Sequence, residues 1–272
     1  VPELTIHTYE VTPALGRHLV LDPRSLAYRR PYTGDPVHPV EWAPKIPVLN
    51  QQDLISQGIR TSSLFEGVDD VHALASCTGN AATALVSVLH DAPTLGAVGL
   101  DATDPAACQR WAIGLYSDAT HRDQWHQQTW PASDCGASGL GVAKALRARG
   151  LIDQYGHATT AEELGQLLQT GPVLMGLPWL SAFSTPGPYG FVDADPMWAS
   201  SPIEGGHEVC ITALEDVTTN PDGTLSDSTV LRFVQSWSAS WGDQGQGRMT
   251  VRTYRALRHE VDLVQPRLDT AR

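Results

Sequence analysis

The apolar pattern of this chain changes period near residue 170, and that change limits the fold more than any other feature. Before it, Ala81, Ala84, Leu85, Val88 and Leu89 recur at the spacing of one helix face, predicting a helix over 78–90. The stretch SGLGVAKALRARG repeats the pattern, with Ser138 as N-cap, Arg147 and Arg149 in the last turn, and Gly150 as the stop. A third helix is expected near 161–169, opened by a capping box from Thr160 to Glu163 and closed by Gly171-Pro172. Beyond it, PVLMGLPWL, EVCITALE, TVLRFVQSW and GRMTVRTY are short apolar or alternating runs between turn clusters such as NPDG, which reads as strands. Helices first and strands afterwards predict an α+β chain with two unlike lobes. Residues 1–46 are proline-rich and aperiodic, and are expected to form an extended arm packed on the body as a permanent part of the fold.

Composition narrows the function. A chain of 272 residues can bury a substantial core, and its net charge of −12 disfavours nucleic acid and anionic membrane surfaces as partners. No run approaches the roughly 18 apolar residues of a membrane span. The first residue is Val1, consistent with a trimmed leader, and the opening residues do not read as a signal peptide. The cysteines are Cys77, Cys108, Cys135 and Cys210. None makes a CxxC pair or stands at zinc-ligand spacing from histidine, so no metal and no cofactor are expected. Cys108–Cys135 is one possible bridge, and connectivity stays open.

Cys77, in LASCTGNAATALV, stands at or just inside a helix N-terminus, where the helix dipole favours a thiolate. Core thiol, half of a disulfide and nucleophile all remain open on that ground alone. A nucleophile needs a histidine and a group to orient it. The best histidine is His207, which follows Gly205-Gly206 and opens a strand. His72 lies too near Cys77 on the same approach loop to reach it well. His121 and His126, five apart, and the acidic pairs Asp69-Asp70 and Asp193-Asp195 read as solvated loop groups.

Five stretches in order, VLNQQ, ASCTGNA, DCGASGLGVAKALRARGLI, GGHEVCI and QSWSASWGDQGQGRM, resemble the motifs of the papain-like cysteine peptidases, especially their bacterial branch. The likeness covers roughly residues 47–255, and His207 lies 130 positions after Cys77, as in papain-type chains. It implies a two-lobe fold, with a helical lobe at about 74–160, a β-barrel-like lobe at about 165–255, both chain ends crossing over, and a cleft between the lobes. It further implies Cys77 as thiolate nucleophile, His207 as its imidazolium partner and Gln51 as side-chain donor to the oxyanion. Gln235 would orient the ring, Trp237 and Trp241 would line the leaving-group side, and Gly136, Ala137, Ser138 and Gly206 would bind substrate. The chain departs from the pattern in three places. Gln235 replaces an asparagine, Thr78 follows the nucleophile where many plant and animal relatives have tryptophan, and about twenty residues, DLISQGIRTSSLFEGVDDVH, are inserted between Gln51 and Cys77. That insertion leaves Gln52 and Gln57 as rival oxyanion donors, and the loop is expected to reshape or cover the cleft.

The resemblance implies hydrolysis of a peptide bond through a thioester at Cys77. The same acyl-enzyme intercepted by an amine or carbanion would make an acyltransferase, ligase or cyclase, with some other acyl compound as substrate. A third possibility is an inactive binding module on this scaffold. Such enzymes often carry an inhibitory prosegment, so the resemblance leaves that role open for residues 1–46 beside that of a permanent arm.

Overall fold

In the computed structural model, which describes residues 15–124 and 129–268, helices occupy the first half and strands the second. In chain order the elements are β1 (Val40–Glu41), α1 (Thr61–Leu64), α2 (Cys77–Leu89), α3 (Ala92–Ala97), α4 (Pro105–Thr120), α5 (Gly139–Ala148), β2 (Gln154–Ala158), α6 (Ala161–Leu168), β3 (Val173–Leu180), β4 (Ile203–Glu215), β5 (Val230–Val234), β6 (Gln246–Thr250), α7 (Val251–Leu257) and β7 (Asp262–Arg267).

The three helices expected from periodicity form as α2, α5 and α6. Ser138 caps α5 by accepting the Gly141 N–H, and Thr160 caps α6 by accepting that of Glu163. Glu163 reaches back one residue beyond the usual box, taking the Thr159 N–H at 2.8 Å. The longest helix, α4, carries start signals of its own, with Asp104 accepting two backbone N–H groups and Pro105 in the first turn. GRMTVRTY is not one strand. Thr250 caps a helix by accepting the Thr253 N–H, so β6 ends there and α7 begins.

The sheet runs β2-β7-β3-β4-β5-β6 with β1 added beside β4, and every pair is antiparallel. The strand order is an open path and not a closed ring. Its two faces bury different cores. Leu174, Cys210 and Val264 join α2, α4 and α5 in one apolar cluster, whereas Met175, Leu177, Val209, Ile211 and Leu263 join α6 and α7 in another. Strand alternation then decides where the polar neighbours go. Glu208 shares the helical face with Cys210, and His207 shares the opposite one with Val209. All four cysteines are free thiols, so the Cys108–Cys135 bridge is absent.

Candidate active site

Cys77 is the first residue of α2, and its approach is anchored from several sides. The Asp134 carboxylate accepts the Ala75 N–H at 3.0 Å and the Tyr116 hydroxyl at 2.8 Å, and the Ser76 carbonyl accepts the Asn80 amide at 2.8 Å. The sulfur accepts the Gly16 N–H at 3.3 Å and is fully buried. Burial, with the Glu208 carboxylate nearby, pushes the thiol up to about 12, and the backbone N–H groups of Glu208, Gly16 and Thr78 offset this only in part.

His207 sits in an aromatic box. The Trp179 ring meets it edge-on at 4.9 Å, and the Trp237 ring lies tilted at 4.9 Å. Burial drives the imidazole down to about 3, and the neighbouring Gln235 carboxamide draws it back upward. Neither ring nitrogen completes a hydrogen bond among the described residues. Thiol and imidazole are therefore both neutral near pH 7, and the thiolate–imidazolium pair is not formed in this state. Gln235 itself is buried at the end of β5, where its Oε1 accepts the Ser236 N–H at 3.1 Å.

Gln51 is buried between Leu74, three residues before Cys77, and Ser236, the neighbour of Gln235. Its Nε2 donates to the Leu74 carbonyl at 3.0 Å, and its Oε1 accepts the Ser236 hydroxyl. The insertion does not displace it, because the loop is stitched shut at its base. Leu54 N–H donates to the His72 carbonyl at 2.8 Å, Leu74 N–H donates to the Gln51 carbonyl at 3.1 Å, and Leu54 and Ile59 anchor in the helical core. The inserted residues thus return Gln51 to within three positions of the thiol along the opposite strand of the loop. Gln52 is exposed, and Gln57 spends its amide on the Asn50 and Asp53 carbonyls, both at 2.6 Å.

Of the expected substrate-binding residues, Gly136, Ala137 and Gly206 lie against residues 16–18 of the arm. Ala137 N–H donates to the Gly16 carbonyl at 2.7 Å, His18 N–H to the Ala137 carbonyl at 3.1 Å, and Arg17 N–H to the Gly206 carbonyl at 3.0 Å. Close approach demands glycines here. A Cβ on Gly136 would stand 2.2 Å from the Gly16 oxygen, and one on Gly206 would stand 2.1 Å from the Arg17 oxygen. Ser138 holds the groove wall, donating its N–H to Asp123 at 2.6 Å while its hydroxyl caps α5. The arm is thus more than packing on the body, since residues 15–18 cover the thiol.

Trp241 is one ring farther out, its centroid 6.2 Å from that of Trp237 and its Nε1 donating to the Ser184 carbonyl at 3.2 Å. Asp193 is a fixed anchor and not a solvated acid, accepting from the Thr250 N–H, the Thr250 hydroxyl and the Thr253 hydroxyl at 2.9, 2.7 and 2.6 Å. His126 lies outside the described residues. Three contributors escaped the sequence reading. Trp179 was legible only as a strand residue, Glu208 stood beside His207 unremarked, and Gly16–His18 belonged to a segment without periodicity. Among the described residues no group of three or more His, Cys, Asp or Glu is placed to hold a metal, and no helix is long and apolar enough to cross a membrane.

No family model and no curated protein matches the sequence. Solved structures do match. Xylellain, a cysteine protease from Xylella fastidiosa, superposes with a TM-score of 0.62 at 13% identity, covering 97% of this chain and 100% of its own. A cysteine protease from Carica candamarcensis gives 0.49 at 14% identity, covering 86% of this chain and 100% of its own. The ragweed cysteine protease Amb a 11 in its proform gives 0.49 at 13% identity, covering 95% of this chain and 75% of its own. The likeness to xylellain shows that the chain has the fold of the papain-like cysteine proteases.

Proposed function

We propose that this chain is a cysteine peptidase of papain-like type, held latent by its own arm. The observation that carries the reading is the groove, which binds an extended polypeptide by backbone hydrogen bonds on both sides, directly over a thiol at a helix start. That is the geometry a peptide substrate needs. Once the arm leaves, water reaches the site, the burial that keeps Cys77 and His207 neutral is relieved, and the helix dipole and backbone N–H groups favour the thiolate. The sulfur then attacks the scissile carbonyl carbon. The new C–S bond forms as the carbonyl π electrons move to oxygen, where the Cys77 N–H and the second Gln51 amide hydrogen stabilise the oxyanion. The intermediate collapses by breaking the C–N bond. His207 passes its proton to the departing amine, and water hydrolyses the thioester. Gln235 orients the imidazole, and Trp237 and Trp179 shield it.

The arm is not cut in place. Gly16 presents its N–H to the sulfur, and its carbonyl oxygen is engaged by Ala137. Replacing Cys77 with alanine should abolish peptide cleavage by the activated protein. Residual cleavage at the wild-type rate would refute the assignment. An acyltransferase would leave a broad peptide library uncut while still forming a thioester, and an inactive module would form neither.

A further inference from the structure

The arm's Arg17 occupies a chamber beside the thiol that the proposed peptide chemistry does not explain. On the helical face of the sheet, β4, β3 and β7 place Glu208, Gly176 and Asp262 directly opposite one another in one row. Their Cα atoms therefore stand roughly 10 Å apart, two strand spacings, with a glycine between them, and their side chains converge over it. Gly176 leaves the space open. A Cβ there would stand 2.4 Å from the Arg17 Nε and 2.6 Å from Glu208 Oε2. Gly139, at the start of α5, closes the chamber from above. Its Cβ would come to 3.0 Å from Glu208 Oε1 and 3.3 Å from Asp262 Oδ2. Arg17, Glu208 and Asp262 are 4%, 1% and 4% exposed. Burial pushes the Glu208 carboxyl well up and the Asp262 carboxyl up, and the Arg17 charge draws both partway back. Neither Glu208 oxygen has a hydrogen-bond partner among the described residues. A buried carboxylate with unused acceptors is costly in a permanent contact, and it suits a chamber whose occupant changes.

From this row we infer that the chamber is a specificity pocket for an arginine side chain of the substrate, and that Arg17 fills it in the latent state. The inference rests on the peptidase reading. Position supports it, because Gly16 lies against the sulfur and Arg17 is the next residue, its N–H clamped by Gly206. Gly16 presents its N–H and not its carbonyl to the sulfur, so a substrate runs opposite to the arm, and the arginine that follows Gly16 in the arm precedes the residue whose carbonyl meets Cys77.

The test uses the full chain carrying Arg17→Ala, which empties the chamber. Two peptidyl acyloxymethyl ketones are compared that differ only in the residue before the ketone-bearing one, arginine or leucine, and Cys77 modification is followed by intact mass. The arginine reagent should react faster by on the order of tenfold or more, the worth of one charge-assisted hydrogen bond. Adding Glu208→Gln, or Asp262→Asn should the first fail to fold, should remove most of that preference. A leucine preference in Arg17→Ala would overturn the pocket while leaving the peptidase intact. If neither reagent modifies Cys77, the peptidase reading fails, and thermal unfolding with acetyl-arginine amide decides the pocket. A rise in Tm for Arg17→Ala that Glu208→Gln abolishes upholds guanidinium binding, and no rise overturns it.

Discussion

The tightest point of the latent state is Gly16, and replacing it with alanine should unmask the thiol. A Cβ there would lie 1.7 Å from the Ala75 carbonyl oxygen and 2.2 Å from its carbon, both backbone atoms in the anchored turn before α2. Contact between such atoms is repulsive well below about 3.5 Å, so the arm and not the turn must move. In the wild type the arm is held across the groove by bonds from Gly16 to the sulfur, Ala137 to Gly16, Arg17 to Gly206 and His18 to Ala137. At about 1 kcal/mol each they leave roughly one molecule in a thousand open. The thiol state leads to a similar figure. With Cys77 at about 12 only about one thiol in ten thousand is ionised at pH 8, against about one in four for an ordinary cysteine. Iodoacetamide should therefore modify Cys77 on the order of a thousandfold faster in Gly16→Ala than in the wild type at pH 8. Mass mapping reads Cys77 against Cys108, which is buried on α4 and serves as the internal control. Equal rates in both proteins would refute the latch, as would rapid modification of the wild type.

Gln51→Ala in the activated protein should lower kcat by about a hundredfold with little change in KM, because its amide is needed only once charge reaches the oxygen; equal losses in both would place Gln51 in substrate binding instead. Asp193→Ala removes the acceptor for three hydrogen bonds from Thr250 and Thr253 and should cost about 2 kcal/mol in urea unfolding, with peptidase kinetics unaltered in the folded fraction. His207, lowered to about 3 in the folded latent chain, binds its proton only in the unfolded chain between that value and about 6.5. The His207 contribution should therefore be complete above pH 6.5 and be lost as pH drops toward 3, and His207→Gln should reduce that slope by about one proton; His18 and His157, also lowered by burial, add to it, and Asp134, Glu208 and Asp262, raised by burial, oppose it.

What could be read in advance and what could not separate along physical lines. Cys77 and Gln235 sit at element ends, a helix start and a strand terminus, and so are declared by their neighbours, whereas the glycine pair before His207 did not open a strand as expected but lies inside β4, which already begins at Ile203. Gln51 resisted spacing arguments because an insertion changes sequence distance without changing spatial distance when its base is closed. The Leu54–His72 and Leu74–Gln51 bonds close this one. The row Glu208–Gly176–Asp262 draws one residue from each of three strands, and no local pattern announces it. It follows instead from register, since a shift of one residue in β3 would turn Gly176 to the other face and set Met175 or Leu177 between the acids. The arm was the least legible part for a related reason. Its proline-rich stretches make few regular backbone bonds of their own, so its conformation is dictated by the groove it occupies. Latency and specificity then have one origin, because the arginine of the arm over the thiol sits among the same carboxyl groups that would select the substrate. A change that weakens the chamber's grip on arginine should therefore loosen the latch and blunt the arginine preference together, and a variant that did only one would separate the two roles.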